Sequence, residues 1–234
     1  MKKIEKFPES KVTEVARLAS DGLIGALPVI GTMAATAITA LVSASLEKRR
    51  TEWFNRIGEG LSDLEKRLHG FDPSDLANNE EFASAVYEMT DAAMKASTES
   101  KRDRLANVVL NIAAGRSLQD ALRGRFVSLV QSFSEEHILL LRIADKPTSF
   151  PKIAYRLKSL TMGGRQSLYG EELRDRGISE DLISVVITDL QREGLIDNGA
   201  FGATMSAQGL ASSITTHTGK AFLSFVEAPV VLTR

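Results

Sequence analysis

The sequence predicts a mainly α-helical protein made of an N-terminal helical bundle and a small C-terminal α+β domain. Apolar residues recur every three or four positions from residue 31 to residue 131, which is the spacing of helices that bury one face. Beyond residue 134 the apolar runs shorten, and a polar turn separates two stretches that can pair as strands. We therefore place the boundary after residue 132, which gives domains 1–132 and 133–234.

The composition is that of an ordinary globular protein. The chain has 234 residues, of which 29 are basic and 30 acidic, and 43% are hydrophobic. That apolar content is too high for an intrinsically disordered chain. Because there is no cysteine, disulfide scaffolds and thiolate metal sites are excluded. A net charge of −1 provides no overall attraction to nucleic acid or to an anionic membrane.

Helices account for the whole N-terminal domain. A short amphipathic helix is predicted over residues 8–20. A much longer helix should begin near Gly31, because Pro28 disfavours helical backbone before it, and should end at Gly70, which can form the C-terminal cap. Three more helices are predicted over residues 80–96, 98–115 and 117–131. Short polar turns join these helices, as in a bundle.

The segment 22–46 is unusual because it contains no charged residue. As one helix of 25 residues it would be about 37 Å long, enough to cross a bilayer. Its proline, glycines and hydroxyl residues offset much of the apolar gain, so insertion is near break-even. Two interpretations are open: a buried core or oligomer interface, favoured because core helices are far more common, or a membrane-active segment. The residues that would pack, line a lumen or lie at the membrane interface are Gly22, Gly25, Pro28, Gly31, Thr32, Thr36, Thr39, Ser43 and Trp53.

The C-terminal domain is predicted to combine short helices with a two-stranded hairpin. Helices are expected over residues 137–144, 151–159, 171–176 and 180–192, and a loop over residues 161–170. Ser134 and Ser179 precede two of these helices, where serine commonly caps the first turn. The stretch 203–207 is expected to return as a strand against residues 195–196, before a final helix that starts at residue 215 or 216.

Two motifs in this domain carry a resemblance to a known family. Residues 190–196, Leu-Gln-Arg-Glu-Gly-Leu-Ile, have the pattern found where the third helix of a winged-helix domain turns into its β-wing. The later TTHTGKAFLSF resembles the Thr-x-x-Gly-x-x-Phe start of the helix that follows the wing. Residues 134–227 therefore resemble a winged-helix domain, and the whole chain is similar to bacterial proteins that place a small helical domain before such a module. The resemblance implies a fold and brings no activity with it.

No residue is predicted to be catalytic, to bind a cofactor or to ligate a metal. The histidines, at positions 69, 137 and 217, lie in separate elements and lack the spacing of metal-ligand motifs. His137 falls on an apolar helix, where a single histidine is more often packed than ligating. The sequence contains no nucleophile elbow and no phosphate-binding loop. We therefore expect a protein without enzymatic activity, with a carboxylate-based enzyme as a third, less supported class.

The predicted partner is a protein or a second copy of the chain. A DNA-reading winged helix inserts its third helix into the major groove, yet the outer face of residues 180–192 carries three acids and one base. A DNA-binding transcriptional regulator is the alternative, and its candidate contacts are Lys152, Arg156, Lys158, Arg165 and Arg192. We expect a cytoplasmic protein, with peripheral or conditional inner-membrane association if the segment 22–46 is membrane-active, as in a defence or stress effector.

Overall fold

The described residues form a mainly helical protein, as predicted. The computed structural model describes residues 32–116, 120–199 and 201–229, and the side chains of the first helix from residue 42 onward. The predicted helix over residues 8–20 lies outside the described residues. The chain divides into two compact units, which we call unit 1 (residues 1–117 with 230–234) and unit 2 (residues 118–229).

Every described secondary-structure element of unit 1 is a helix. Its elements are α1 Thr32–Arg67, a 3₁₀-helix Pro73–Asn78, α2 Glu80–Lys95 and α3 Glu99–Ala113. The predicted long helix is confirmed, since α1 has 36 residues. Gly70 follows it with a φ of 82°, a left-handed conformation that glycine adopts without strain and that lets the chain turn. The side-chain oxygens of Asn79 and Thr98 accept hydrogen bonds from first-turn amides of α2 and α3, and so set where these helices begin.

The core of unit 1 forms where the C-terminal part of α1 packs on α2 and α3. Trp53 is buried, and its indole Nε1 donates a hydrogen bond to Thr90 Oγ1 at 2.9 Å. Further along α1, Leu64 is buried in a cluster with Leu110 and Ala113 of α3. These contacts lie on one stripe of α1, because positions separated by whole helical turns share a face.

Charged residues of α1 also bind the neighbouring helices. Arg49 Nη1 donates to the carbonyl oxygen of Met94, in the last turn of α2, at 2.6 Å. Arg56 pairs with Glu99 at 3.0 Å and also with Asp103, near the start of α3. Cations are favoured at helix C-termini and anions at N-termini, where each offsets the helix dipole. The charged C-terminal half of α1 therefore packs on α2 and α3 through ion pairs and hydrogen bonds as well as through apolar contacts.

Unit 2 combines short helices with a two-stranded sheet. Its elements are α4 Asp120–Ser132, α5 Glu135–Asp145, a 3₁₀-helix Pro147–Ser149, α6 Pro151–Ser159, β1 Met162–Gly164, α7 Arg165–Arg174, α8 Glu180–Arg192, β2 Thr204–Ser206, α9 Ala207–Ala211 and α10 His217–Val226. The prediction of a loop over residues 161–170 is wrong, because β1 and the first half of α7 occupy it. Ser179 caps α8 as predicted, its Oγ accepting from the amide of Leu182 at 3.4 Å.

Helix α4 belongs to unit 2, although the sequence pattern placed it in the N-terminal domain. The buried ring of Phe126 lies 5.2 Å from Phe222 and 5.7 Å from Phe225, both on α10. Phe133, just after α4, packs edge-on against Phe222 at 5.9 Å. Edge-to-face pairs are a favourable arrangement of aromatic rings. This aromatic cluster attaches α4 to α10 and moves the boundary to residue 117.

The strand pairing of unit 2 differs from the predicted hairpin. β2 pairs antiparallel with β1, and not with residues 195–196. Ile196 instead forms an isolated antiparallel bridge with Thr215, and the amide of Thr216 donates to the carbonyl oxygen of Leu195 at 3.0 Å. The backbone groups of residues 195 and 196 thus bind residues 215 and 216, just before α10, and β2 pairs with β1 instead.

Candidate functional site

The exposed face of α8 is both apolar and acidic. Val185 is 52% exposed, and Leu182 is also exposed. These residues are three positions apart and so lie on one face of the helix. Glu180 and Asp181 are exposed in the first turn of the same helix. The opposite face lies in the core of unit 2 through Ile183, Val186 and Leu190.

Three of the five cations proposed to contact nucleic acid are held in ion pairs with nearby carboxylates. Lys152 pairs with Asp175 at 2.6 Å and Arg156 with Glu171 at 3.0 Å. Arg192 pairs with Asp189 at 2.8 Å. Lys158 is exposed near the end of α6. Because carboxylates neutralise much of this charge, the surface offers little attraction for phosphate groups.

Arg165, the fifth of these cations, lies inside unit 2. It is buried at the start of α7, where it donates to the carbonyl oxygen of Gly209 and to Ser212 Oγ, the latter at 3.1 Å. The neighbouring Tyr169 is also buried. Desolvation raises the pKa of Tyr169 above its ordinary value of 10.0, and the charge of Arg165 opposes part of this rise. Contrary to the prediction, Arg165 connects α7 to α9 and is not placed to contact nucleic acid.

A cavity of about 380 Å³ lies between α6 and α7. It is lined by Pro151, Lys152, Ile153, Tyr155, Arg156, Leu168, Glu171, Glu172 and Asp175. Ile153 and Leu168 are buried and supply its apolar part. The ion pairs Lys152–Asp175 and Arg156–Glu171 also line this cavity. Sequence reasoning missed this site, although one signal was present: two cations four residues apart precede two acids four residues apart.

Glu172 is the buried acid of the cavity wall. Only 6% of it is exposed, and Arg176 donates from Nε and Nη2 to its Oε1 at 3.0 and 2.7 Å. Its other oxygen, Oε2, is buried and has no hydrogen-bond partner among the described residues. An unsatisfied buried acceptor costs about 1–3 kcal/mol, so such groups usually have a partner. Glu172 is therefore a buried acid whose hydrogen-bonding capacity the described residues satisfy only in part.

Ser134, His137 and Asp189 form a hydrogen-bonded chain that sequence reasoning also missed. Ser134 Oγ lies 2.9 Å from His137 Nδ1, and His137 Nε2 lies 3.2 Å from Asp189 Oδ2. The residue types and distances match a Ser–His–Asp triad. Asp189 is 52 positions from His137, so only the tertiary structure brings them together.

Helix capping explains this chain better than catalysis does. The backbone amide of Ser134 donates to the same Nδ1 at 3.2 Å, as in a capping box in which histidine occupies the third helical position. The buried His137 ring stacks on Phe133 at a centroid distance of 4.4 Å, which occupies one face of the ring. His137 is packed, as the sequence suggested, and it connects the start of α5 to α8.

The described part of the uncharged segment 22–46 is exposed. Val42 is 51% exposed, and Leu46, one helical turn later, is exposed as well. The intervening Ala44 and Ser45 are also exposed. A buried core or an oligomer interface was the favoured interpretation, and the exposure of Val42 and Leu46 does not fit burial of these two side chains in the core of the same chain. Exposed apolar side chains on a helix are compatible with an oligomer interface and with a membrane-active segment.

The structure describes some of the residues proposed for this segment. Gly22, Gly25, Pro28 and Gly31 lie outside the described residues. The backbone of Thr32, Thr36 and Thr39 is in α1, and Ser43 is half-buried. Trp53 differs from its proposed role, because the buried indole that bonds Thr90 is unavailable as an anchor at a membrane interface. No helix within residues 32–116, 120–199 and 201–229 has both the length and the apolar character needed to cross a bilayer.

The described residues also contain no cluster of three or more histidine, aspartate or glutamate side chains that could hold a metal ion. Comparisons with protein-family models, with curated proteins and with solved structures found no match to this chain. Any function assigned to it therefore rests on the geometry of its own residues.

Proposed function

We propose that the protein is a non-enzymatic interaction protein, in which a winged-helix-like unit 2 recognises a protein partner and unit 1 mediates self-association. The proposal for unit 2 rests on the exposed face of α8. Its apolar residues Leu182 and Val185 lie beside the acids Glu180 and Asp181. Exposed apolar side chains rimmed by polar ones are typical of protein-binding surfaces.

Direct reading of DNA has less support from the same residues. Affinity for DNA comes largely from cations that neutralise phosphates. Here the first turn of α8 is acidic, and Arg192 at its end is paired with Asp189. Binding DNA through Lys152 or Arg156 would require breaking their ion pairs with Asp175 and Glu171. A protein partner needs neither change.

Self-association is supported by the exposed part of α1. Val42 and Leu46 are four residues apart, so they form one apolar stripe on the helix surface. A second copy of α1 would cover this stripe, and the small side chains of Ser43 and Ser45, which flank it, would let two helices approach closely. Membrane contact is the second candidate for unit 1, because the uncharged run extends from residue 22 to residue 46.

Site-specific photo-crosslinking tests the proposal for unit 2. The full chain would carry p-benzoylphenylalanine at Val185, or at the exposed Lys220 of α10 as the matched control. After irradiation in the source cells, we expect a discrete adduct from position 185 that is sensitive to protease and resistant to nuclease. The same adduct should be absent from position 220.

Two results would contradict a protein partner. One is an adduct at position 185 that nuclease removes, together with salt-dependent DNA binding that Arg156→Glu or Arg192→Glu abolishes. That result would support a DNA-binding transcriptional regulator instead. The other is an equal yield of adducts at both positions, because a specific surface should exceed random collision.

A further inference from the structure

We propose that a second copy of the chain binds α1 in an antiparallel orientation, through the part of the helix that extends beyond α2. This inference rests on the self-association proposed above, and it adds the face, the orientation and the centre of the interface. The face, which we call the α1 stripe, carries Val42, Leu46, Trp53, Gly60 and Leu64. At 3.6 residues per turn these positions lie within about 40° of one another around the helix, so they form one continuous face.

The C-terminal part of the α1 stripe is already an interface within one copy. Trp53 and Leu64 are buried there. Gly60 lies so close to Leu110 of α3 that a Cβ at this glycine would overlap the leucine side chain. Val42 and Leu46, on the same stripe, are exposed. The face that packs on α2 and α3 therefore continues into a part where its apolar side chains reach solvent.

The last turn of α2 lies where the exposed part of the α1 stripe ends. Arg49 Nη1 donates to the carbonyl oxygen of Met94 at 2.6 Å, and Trp53 Nε1 donates to Thr90 Oγ1 at 2.9 Å. Residue numbers that rise along α1 thus meet numbers that fall along α2, so the two helices are antiparallel. Residues 32–48 of α1 extend beyond the last turn of α2 over about 25 Å. A helix that continues the line of α2 would cover the exposed part of the stripe.

The position of α2 favours an antiparallel second copy. Because α1 is one helix of 36 residues, a second α1 lying parallel on the exposed part would run on into the space that α2 occupies from Arg49 onward. An antiparallel α1 leads its own charged half, with its own α2 and α3, away from the first copy. With a two-fold axis near residue 40, the middle of the range 32–48, each copy covers the exposed part of the other.

The charges of α1 favour the same orientation. Residues 32–46 carry no charge, so pairing this range with itself brings no like charges together. Arg49 lies on the face that meets α2, and a parallel copy in register would place it against its own counterpart. In the antiparallel pair the two Arg49 residues lie about 27 Å apart along the helix axis, well beyond the screening length of about 8–10 Å in physiological salt.

Distances between spin labels, measured by double electron–electron resonance, test the orientation. Because the natural chain has no cysteine, one introduced cysteine in the full chain gives one label per copy. Glu47→Cys and Glu59→Cys are suitable, since both positions are exposed and lie off the α1 stripe. In the antiparallel pair we expect about 20–30 Å between labels at position 47 and about 55–60 Å between labels at position 59. In a parallel pair both distances would be about 20–30 Å, because each label would lie beside its counterpart.

A matched pair of variants tests whether the α1 stripe is the interface. In the chain labelled at position 47, Val42→Asp should abolish the short distance, because it buries a charge between the paired helices. Ala44→Asp places the same charge on the opposite side of the helix and should keep the short distance. Both positions are exposed, so neither change disturbs the core of unit 1. Loss of the distance in both variants, or in neither, would overturn the stripe as the interface.

The orientation and the self-association fail separately. Short distances at both labelled positions would overturn the antiparallel arrangement and leave self-association in place. The absence of any distance between copies at position 47, at every protein concentration, would overturn both. If the same chain then sediments with liposomes, residues 42–46 contact a membrane instead of a second copy.

Discussion

At the scale of single residues, Gly219 lies where two backbone segments of unit 2 meet. Its amide donates to Thr216 Oγ1 at 3.0 Å, which caps α10. A Cβ at this position would overlap the carbonyl oxygen of Leu195, so the chain after α8 passes directly against α10. Three positions later, Phe222 is buried against Phe126. Each named position of the Thr-x-x-Gly-x-x-Phe motif thus has a packing or capping role.

Gly219→Ala should therefore destabilise unit 2. We expect the free energy of unfolding to fall by about 1–3 kcal/mol, the usual cost of forcing an extra methyl group into a packed site. Urea unfolding followed by circular dichroism measures the change. Gly124→Ala is the matched control, because that helical glycine of α4 has open space around it and alanine is the better helix former. Equal losses in the two variants would contradict the close approach at Gly219.

At the scale of elements, α6 and α7 are joined by side chains with matched spacing. Lys152 and Arg156 lie one turn apart on α6, and they pair with Asp175 and Glu171, which lie one turn apart at α7. The hydrogen bond and charge of Lys152, with a smaller contribution from Arg174, hold the pKa of Asp175 below its ordinary value of 3.8. A depressed pKa means that the folded state favours the ionised carboxylate. This stabilisation is present above pH 3.8 and is lost as the pH falls through the lower pKa of the folded protein.

Lys152→Met should raise the pKa of Asp175 toward 3.8, because it removes the largest cause of the depression. Titration of the Asp175 carboxyl carbon by NMR between neutral and acidic pH measures this directly. Lys158→Met, on the same helix and exposed, should leave the Asp175 titration where it is. An unchanged Asp175 pKa in Lys152→Met would show that the ion pair does not persist in solution.

At the scale of the whole molecule, α1 has buried side chains in its C-terminal part and exposed apolar side chains at residues 42 and 46. The C-terminal part, although rich in charge, packs on α2 and α3 through Trp53 and Leu64 and through the ion pairs of Arg56. In the uncharged part, Val42 and Leu46 are exposed. Burying an apolar side chain gains about 1.5–3 kcal/mol when it is complete, so this stripe has a driving force for association.

Val42→Asp should weaken self-association of the full chain. We expect light scattering after size-exclusion chromatography to show an oligomer for the natural sequence and a shift toward monomer for Val42→Asp, since a charge at the interface costs desolvation. Ala44→Asp places the same charge on the opposite side of the helix and should keep the oligomer. A natural chain that is monomeric at every concentration but sediments with liposomes would support membrane contact instead.

Local patterns predicted most of the helices because their causes lie within a few residues. The long helix to Arg67, the cap at Ser179 and the start of α10 after Thr216 all follow from periodicity and capping. The segment 161–170 was missed because β1 is only three residues long and forms through pairing with β2, some forty positions away. The cavity was missed for the same reason, since its two walls carry ordinary surface charges until α6 and α7 meet.

By itself, the sequence determined that this is a mainly helical chain without cysteine chemistry, with an uncharged segment and an acidic face on α8. Only the tertiary structure decided that α4 joins unit 2, that Arg165 and Trp53 are buried, that Val42 is exposed and that one buried oxygen of Glu172 has no hydrogen-bond partner among the described residues. The physical reason is the distance along the chain over which each kind of interaction acts. Backbone propensity and capping act over a single turn, whereas burial and hydrogen-bond satisfaction depend on groups that the fold brings together from distant positions.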